Sequence, residues 1–295
     1  MADDANQAPS FTDTFFPRQE PHVFAKELDV CEDPDTPTRI VDLDWSHSLQ
    51  IPYPATTPTM LARYIVLRPG EALDARFAGS GAFFYVIAGE GRTTWGDRTV
   101  EWRPGDAFTL LGGTLATHRS LGGRCWLYVV SDEPLYAFLG AASPGAPQPA
   151  VASLNLYGDR GHYVFVGASE MRKDTESGGR LFDPVRNAGL LRTLLFSMNW
   201  QPVETDFTAH RHTAAAIQLL LDGEASHSMV EGRRFTWRRH AVMVTPPGLA
   251  HSHHGSAHRL TTQDAILHLY ARTYFYIDGD AAAFMDNPSD PEANL

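Results

Sequence analysis

The sequence predicts an all-β protein, with two copies of one β-barrel unit behind an extended N-terminal arm. Three observations lead there. Short runs of β-branched and aromatic residues, such as ARYIVLRPG, AFFYVIAGEG and RCWLYVV, recur between Gly, Pro and Asp, which is the pattern of strands joined by tight turns. The stretch AFFYVIAGEGRTTWGDRTVEWRPGDAFTLLGGTLATH is echoed later by AIQLLLDGEASHSMVEGRRFTWRRHAVMVTPPGLAHSH, and a repeat of that length means two copies of one unit. The 295 residues, 43% hydrophobic and 20% charged, are enough to bury a core of useful size.

Taken in order, residues 1–60 are rich in Asp, Pro and Thr, and read as an arm with room for one short helix or strand. Residues 61–139 carry the first set of strands. Residues 140–185 are a linker and loop. The segment GAASPGAPQPA is flexible in composition, and RKDTESGGRLFDPV at 172–185 reads as a long loop. Residues 186–285 carry the second set, in which AILHLYARTYFYI reads as a strand. The close, from about 278, has a short helical pattern, and 286–295 is a solvated tail.

The formal net charge of −11, from 24 Lys+Arg against 35 Asp+Glu, leaves no basic excess to neutralise phosphates. Nucleic acid and anionic membrane are therefore not expected partners. Two cysteines, Cys31 and Cys125, are too few for a disulfide framework or a Cys-based zinc site. No apolar run approaches the ~18 residues of a membrane span, and no basic stretch followed by an apolar one opens the chain. A cytoplasmic protein is expected. A homo-oligomer is expected too, because edge strands and a long arm need covering.

Chemistry concentrates in AHRHTAAAIQLLLDG and TPPGLAHSHHG. On a strand, residues two apart share a face, so His210 and His212 project together, into the barrel if the apolar run after them is a core strand. Converging neutral imidazoles bind Zn, Fe, Ni, Cu or Mn. Two buried histidines without a metal would need hydrogen-bond partners, and the side chains of Ala214, Ala215, Ala216 and Ile217 offer none. A third ligand is needed. His251 and His253, again two apart after a Pro-Pro-Gly turn, are the candidates. Only one copy of the repeat has these histidines while both keep their glycines, so the histidines are not required to build the barrel. The remaining histidines, such as His22, His227, His240 and His254, read as surface or satisfied groups.

The repeat resembles a bicupin. The cupin motifs are G-x5-H-x-H-x(3,4)-E-x6-G and G-x5-P-x-G-x2-H-x3-N. His210, His212 and Gly223 match the first, and Pro246, Gly248 and His251 match the second. The motif glutamate falls on Ala216, the second motif's first glycine on His240 and its Asn on Gly255. The resemblance implies two tandem double-stranded β-helix (jelly-roll) barrels and a three-histidine site, His210, His212 and His251, with no carboxylate ligand. In the first copy the ligand positions fall on Arg76, Ala78, Ala82 and Ala116, while Gly70, Gly89, Gly105 and Gly113 keep the turns and His118 stands where His253 does. The first cupin is read as a structural copy without metal.

Among cupins, HRHTAAA…Q…TPPGLAHSHHG is most similar to the gentisate and salicylate ring-cleaving dioxygenases. That resemblance implies Fe(II), a small-molecule substrate and O2, with a small aromatic or enol-type diol cleaved. It implies that His253 acts as acid/base or orients substrate. Eight positions after the first ligand that family places an arginine for the substrate carboxylate, and here the position is Gln218. Parity from His212 keeps Gln218 facing the cavity. An amide cannot pair a carboxylate as a guanidinium does. So either the substrate lacks that carboxylate, or another arginine, such as Arg192, supplies the charge. The alternatives are a cupin isomerase, lyase or hydrolase using Zn, Mn or Ni as Lewis acid, and a non-enzymatic binding cupin.

Overall fold

The structure, a computed structural model, describes residues 19–141, 165–166, 179–181, 191, 193–201, 207–223 and 226–278. The first half begins with β1 (His22–Val23), α1 (Ala25–Glu32), β2 (Arg39–Asp42) and α2 (Ser46–Leu49). The strands β3 (Leu61–Leu67), β4 (Ala72–Arg76), β5 (Gly81–Ala88), β6 (Gly91–Trp95), β7 (Arg98–Trp102), β8 (Ala107–Leu111), β9 (Leu115–Ser120) and β10 (Cys125–Ser131) follow, then α3 (Glu133–Leu139). The second half repeats the order. Its strands are β11 (Phe165–Val166), β12 (Gly179–Leu181), β13 (Leu195–Gln201), β14 (Phe207–His212), β15 (Ala216–Asp222), β16 (His227–Val230), β17 (Arg233–Thr236), β18 (Val242–Thr245), β19 (His251–His254) and β20 (Ala257–Gln263). α4 (Ala265–Ala271) and β21 (Tyr276–Asp278) close it.

The two halves are mirror entries in one scheme. A six-stranded sheet in the order β11-β8-β5-β10-β3-β2 and a four-stranded sheet β4-β9-β6-β7 form the first barrel. A six-stranded sheet β1-β18-β15-β20-β13-β12 and a five-stranded sheet β17-β16-β19-β14-β21 form the second. The expected all-β, two-barrel plan is therefore what the chain adopts. The arms cross over. β1, from before the first barrel, pairs with β18 of the second, and β11, from before the second barrel, pairs with β8 of the first.

Strand alternation builds two cores at once. Ile65, Leu67, Phe84, Val86, Leu127 and Val129 fill the first barrel. Their neighbours Tyr64, Val66, Phe83, Tyr128 and Val130 face the other way and pack against Phe196, Met198, Ile217 and Leu260 of the second half. All of β3 is buried because both its faces are covered. Phe83 stacks on Phe196 at 4.0 Å between ring centroids, and Tyr64 donates its hydroxyl to the His240 carbonyl at 2.6 Å. His240 itself adopts φ 64 where the first half has Gly105 at φ 87. The glycine missing from the second motif is thus replaced by a residue held in the same left-handed conformation, with its N–H bonded to the Leu220 carbonyl at 2.6 Å.

Three readings of the sequence are corrected. The arm, read with room for one short helix or strand, carries β1, α1, β2 and α2 within its described residues. The expected loop at 172–185 contains β12 at 179–181, paired with β13. The run AILHLYARTYFYI is not one strand. Residues 265–271 form α4, which ends at Arg272 in the left-handed conformation, before β21. A continuous apolar run carries no period that separates strand from helix, and here it leaves Leu269 and Tyr270 53% and 89% exposed. The short helical pattern expected from about 278 lies outside the described residues, apart from Asp278 in β21. No described helix is long and apolar enough to cross a membrane.

Candidate metal centre

His210 and His212 end β14, and His251 opens β19. The two strands are paired with His210 opposite His251. The Pro-Pro-Gly turn is pinned beside them, because the Gly248 N–H donates to the His212 carbonyl at 2.8 Å. The rings of His210 and His251 lie 4.2 Å apart between centroids, and those of His212 and His251 4.8 Å apart. One ligand nitrogen from each of the three can be chosen so that all lie within 4.8 Å of one another.

The protonation of the rings follows from their partners. An amide NH2 only donates, so Gln263 Nε2, 3.3 Å from His212 Nε2, marks that ring nitrogen as the one with the lone pair. The proton then sits on Nδ1, which donates to the Ala214 carbonyl at 2.8 Å. His251 Nδ1 donates to the Leu249 carbonyl, also at 2.8 Å, and its Nε2 is likewise left as acceptor. Backbone carbonyls on Nδ1 are the partners that orient metal-ligating imidazoles. Burial, reinforced by the neighbouring His210, lowers the His212 pKa to about 4 and drives that of His251 well below the ordinary histidine value. Both rings are neutral at neutral pH, as metal ligands must be. The donor set, three imidazole nitrogens and no carboxylate, fits a divalent transition metal with open positions.

Behind the triad lies a cavity of about 210 Å³. Cross-strand register shows what lines the interior of each barrel. Val129 faces Phe84 and Leu127 faces Ile65 in the first barrel. The equivalent pairs in the second are Thr261 with Gln218 and Arg259 with Asn199. Apolar side chains that fill one interior are exchanged for polar ones that line the other.

Gln218 is 3% exposed and faces this cavity, as strand parity from His212 predicts. His253 lies beside the triad, its ring 5.6 Å from that of His251 between centroids. Its Nε2 is 3.1 Å from Gln218 Nε2 and its Nδ1 2.8 Å from Ser228 Oγ. Burial, with the positive Arg259 nearby, holds its pKa well below the ordinary value. Arg192 lies outside the described residues.

The structure adds residues that sequence reasoning passed over. Arg259, 2% exposed, lines the cavity and donates to Gln201 Oε1 at 2.9 Å, while Gln201 Nε2 donates to the His253 carbonyl at 2.8 Å. Burial pushes the Arg259 pKa down to about 9. Tyr276 of β21 stacks on His210 at 5.0 Å between centroids and forms part of the rim. Strand parity within AHRLTTQ would have grouped Arg259, Thr261 and Gln263 on one face, but nothing local says which face is inside.

No known family model matches the chain. Over 99 residues, 32% of this chain and 26% of the relative, it is 32% identical to a 5-aminosalicylate 1,2-dioxygenase from a Comamonas species. Over 91 residues, 30% of this chain and 24% of the relative, it is 30% identical to a gentisate 1,2-dioxygenase from a Ralstonia species. The chain thus spans about a quarter of the length of the curated relatives it matches. Among solved structures, it superimposes on salicylate 1,2-dioxygenase from Pseudoaminobacter salicylatoxidans with a TM-score of 0.69 at 15% identity, covering 92% of each chain. An oxalate decarboxylase from Lactobacillus farciminis gives 0.57 at 13% identity, over 81% of this chain and 83% of that one. At these identities the solved structures establish the two-cupin fold. The sequence relatives agree with the resemblance to gentisate and salicylate dioxygenases.

Proposed function

We propose that this bicupin is an Fe(II) dioxygenase that cleaves a small aromatic or enol-type diol, with O2 as co-substrate. The observation that carries the reading is the triad itself. His210, His212 and His251 converge at a polar cavity of about 210 Å³, and the lone pairs of His212 and His251 are fixed by the partners of their Nδ1 atoms. The dioxygenase names of the sequence relatives support the choice of reaction.

His210, His212 and His251 would hold iron(II), which would supply the redox chemistry that joins an electron-rich diol to O2. The chain's own residues do the rest. The cavity, of about 210 Å³, is of a size for a single small ring. His253 carries its proton on Nδ1, donated to Ser228 Oγ, and its Nε2 lone pair accepts from Gln218 Nε2 at 3.1 Å, a bond that a substrate hydroxyl would displace to pass its proton to the ring. Ser228 and the Gln201 contact to its carbonyl hold that ring in place. Tyr276 flanks His210 at the mouth. Arg259 puts a buried positive charge in the wall, the charge that Gln218 does not supply.

The test is anaerobic loading with Fe(II), followed by oxygen uptake with a panel of catechols, hydroquinones and hydroxybenzoates. Stoichiometric oxygen consumption with at least one compound, with loss of the aromatic absorbance, is the expected result. Silence across the panel, with metal bound, would overturn the reading in favour of Lewis-acid chemistry.

A further inference from the structure

We propose that Gln218 reads an uncharged hydrogen-bond donor, a phenolic hydroxyl or an aryl amine, on the ring of the bound ligand. The inference rests on the reading of the cavity as the substrate site and adds the chemistry of one wall of it.

Gln218 sits in mid-strand on β15, between Met243 of β18 and Thr261 of β20, and its side chain lines the cavity beside the triad. One half of its amide is engaged. Nε2 donates to His253 Nε2 at 3.1 Å, and that ring's other nitrogen is held by Ser228 Oγ. The other half is not. Oε1 is fully buried and, among the described residues, has no hydrogen-bond partner. A buried acceptor left in this state is costly, and the native structure keeps such atoms where something else meets them.

The direction of the missing bond is set by the fixed one. An amide oxygen only accepts, and rotating the amide by half a turn would require the His253 proton to move to Nε2, with the Ser228 hydroxyl turning to donate to Nδ1. With Nε2 turned to His253, as it stands in the structure, the group that meets Oε1 donates. A carboxylate is acceptor-only at neutral pH and would be repelled from this point. A hydroxyl or amino substituent on an aromatic ring donates, carries no charge and suits the part of the cavity lined by Gln218, Thr261 and Asn199. Where Phe84 closes the first barrel, the same position in the second becomes a specificity-determining contact.

The experiment measures binding without turnover, by calorimetry on protein loaded with redox-inert Zn(II). The probes are catechol, its 3- and 4-hydroxy derivatives, 4-aminocatechol, and the 3- and 4-carboxy derivatives. In the native protein one hydroxy or amino derivative should bind about tenfold more tightly than catechol, the scale of one well-placed hydrogen bond. In Gln218→Met, of similar length, the gain over catechol measured in that same variant should vanish, and its zinc content and circular dichroism check that the variant is folded. In Gln218→Arg the gain should pass to a carboxy derivative. The proposal is overturned if the gain survives in Gln218→Met, if no hydroxy or amino derivative gains, or if carboxy derivatives gain through Gln218 in the native protein. Binding with the expected gain but no oxygen uptake by the Fe(II) form would overturn the dioxygenase reading alone. Failure of catechol and every derivative to bind would overturn the cavity as the substrate site, and this proposal with it.

Discussion

Thr59, in the first half, donates its hydroxyl to Asp264, in the second, at 2.7 Å. Asp264 also accepts the N–H of Ala215 at 2.9 Å, so one buried carboxylate ties the entry of β15 to the opposite half of the chain. Asp132 makes the counterpart contacts, accepting from Ser80 N at 2.7 Å and from Thr193 Oγ1 at 2.8 Å. Asp264→Ala strands two donors and should cost about 1–3 kcal/mol, read from urea unfolding. Combined with Thr59→Val, the loss should fall short of the sum of the two single losses. Strict additivity would mean that the two halves are not coupled through this carboxylate.

Metal should bind at about one ion per chain, as read by elemental analysis after dialysis. His251→Ala should lose it. Retention of stoichiometric metal by that variant would refute the triad, and two ions per native chain would refute the reading of the first barrel as metal-free.

His253→Ala should keep the metal and lose turnover. A proton-handling role predicts a fall in kcat of about 10²–10⁴-fold. Loss of metal together with activity would make His253 a ligand instead.

Acid should weaken the first barrel through His118. This fully buried ring, hydrogen-bonded to Thr93 at 2.8 Å, has its pKa lowered from 6.5 to about 4, with burial as the cause. The folded state therefore resists a proton that the unfolded chain accepts. Its stabilising contribution is intact above pH 6.5 and is lost as pH falls from 6.5 toward 4, by about 2 kcal/mol at pH 5. His118→Leu should show a smaller drop in urea midpoint between pH 7.5 and pH 5 than the parent. An equal drop would place the acid sensitivity elsewhere.

Much of the site was legible because it lies on local patterns. Strand parity groups His210 with His212 and carries on to Gln218, and the Pro-Pro-Gly turn announces His251. The repeat itself exposed the first copy as lacking ligands. What stayed hidden is non-local. Arg259 and Gln263 share a face by parity, yet only pairing with β15 and β13 shows that this face is the interior. β1 and β11 are two residues each, too short to leave any period, so the crossing of the arms had no sequence signal. The helix α4 was masked by a run apolar enough to suit either structure.

The crossed arms make the chain behave as a dimer folded into one polypeptide. Each barrel borrows an edge strand from the other half, β1 sealing β18 and β11 sealing β8. In two separate chains such lending would be a bimolecular event, weakened by dilution. Joined in one chain, it occurs at a fixed effective concentration, whatever the amount of protein present. The first half is thus a permanent lodger of the half that carries the histidine triad, and a loss at residue 22 is felt by a strand that runs directly into the turn carrying His251.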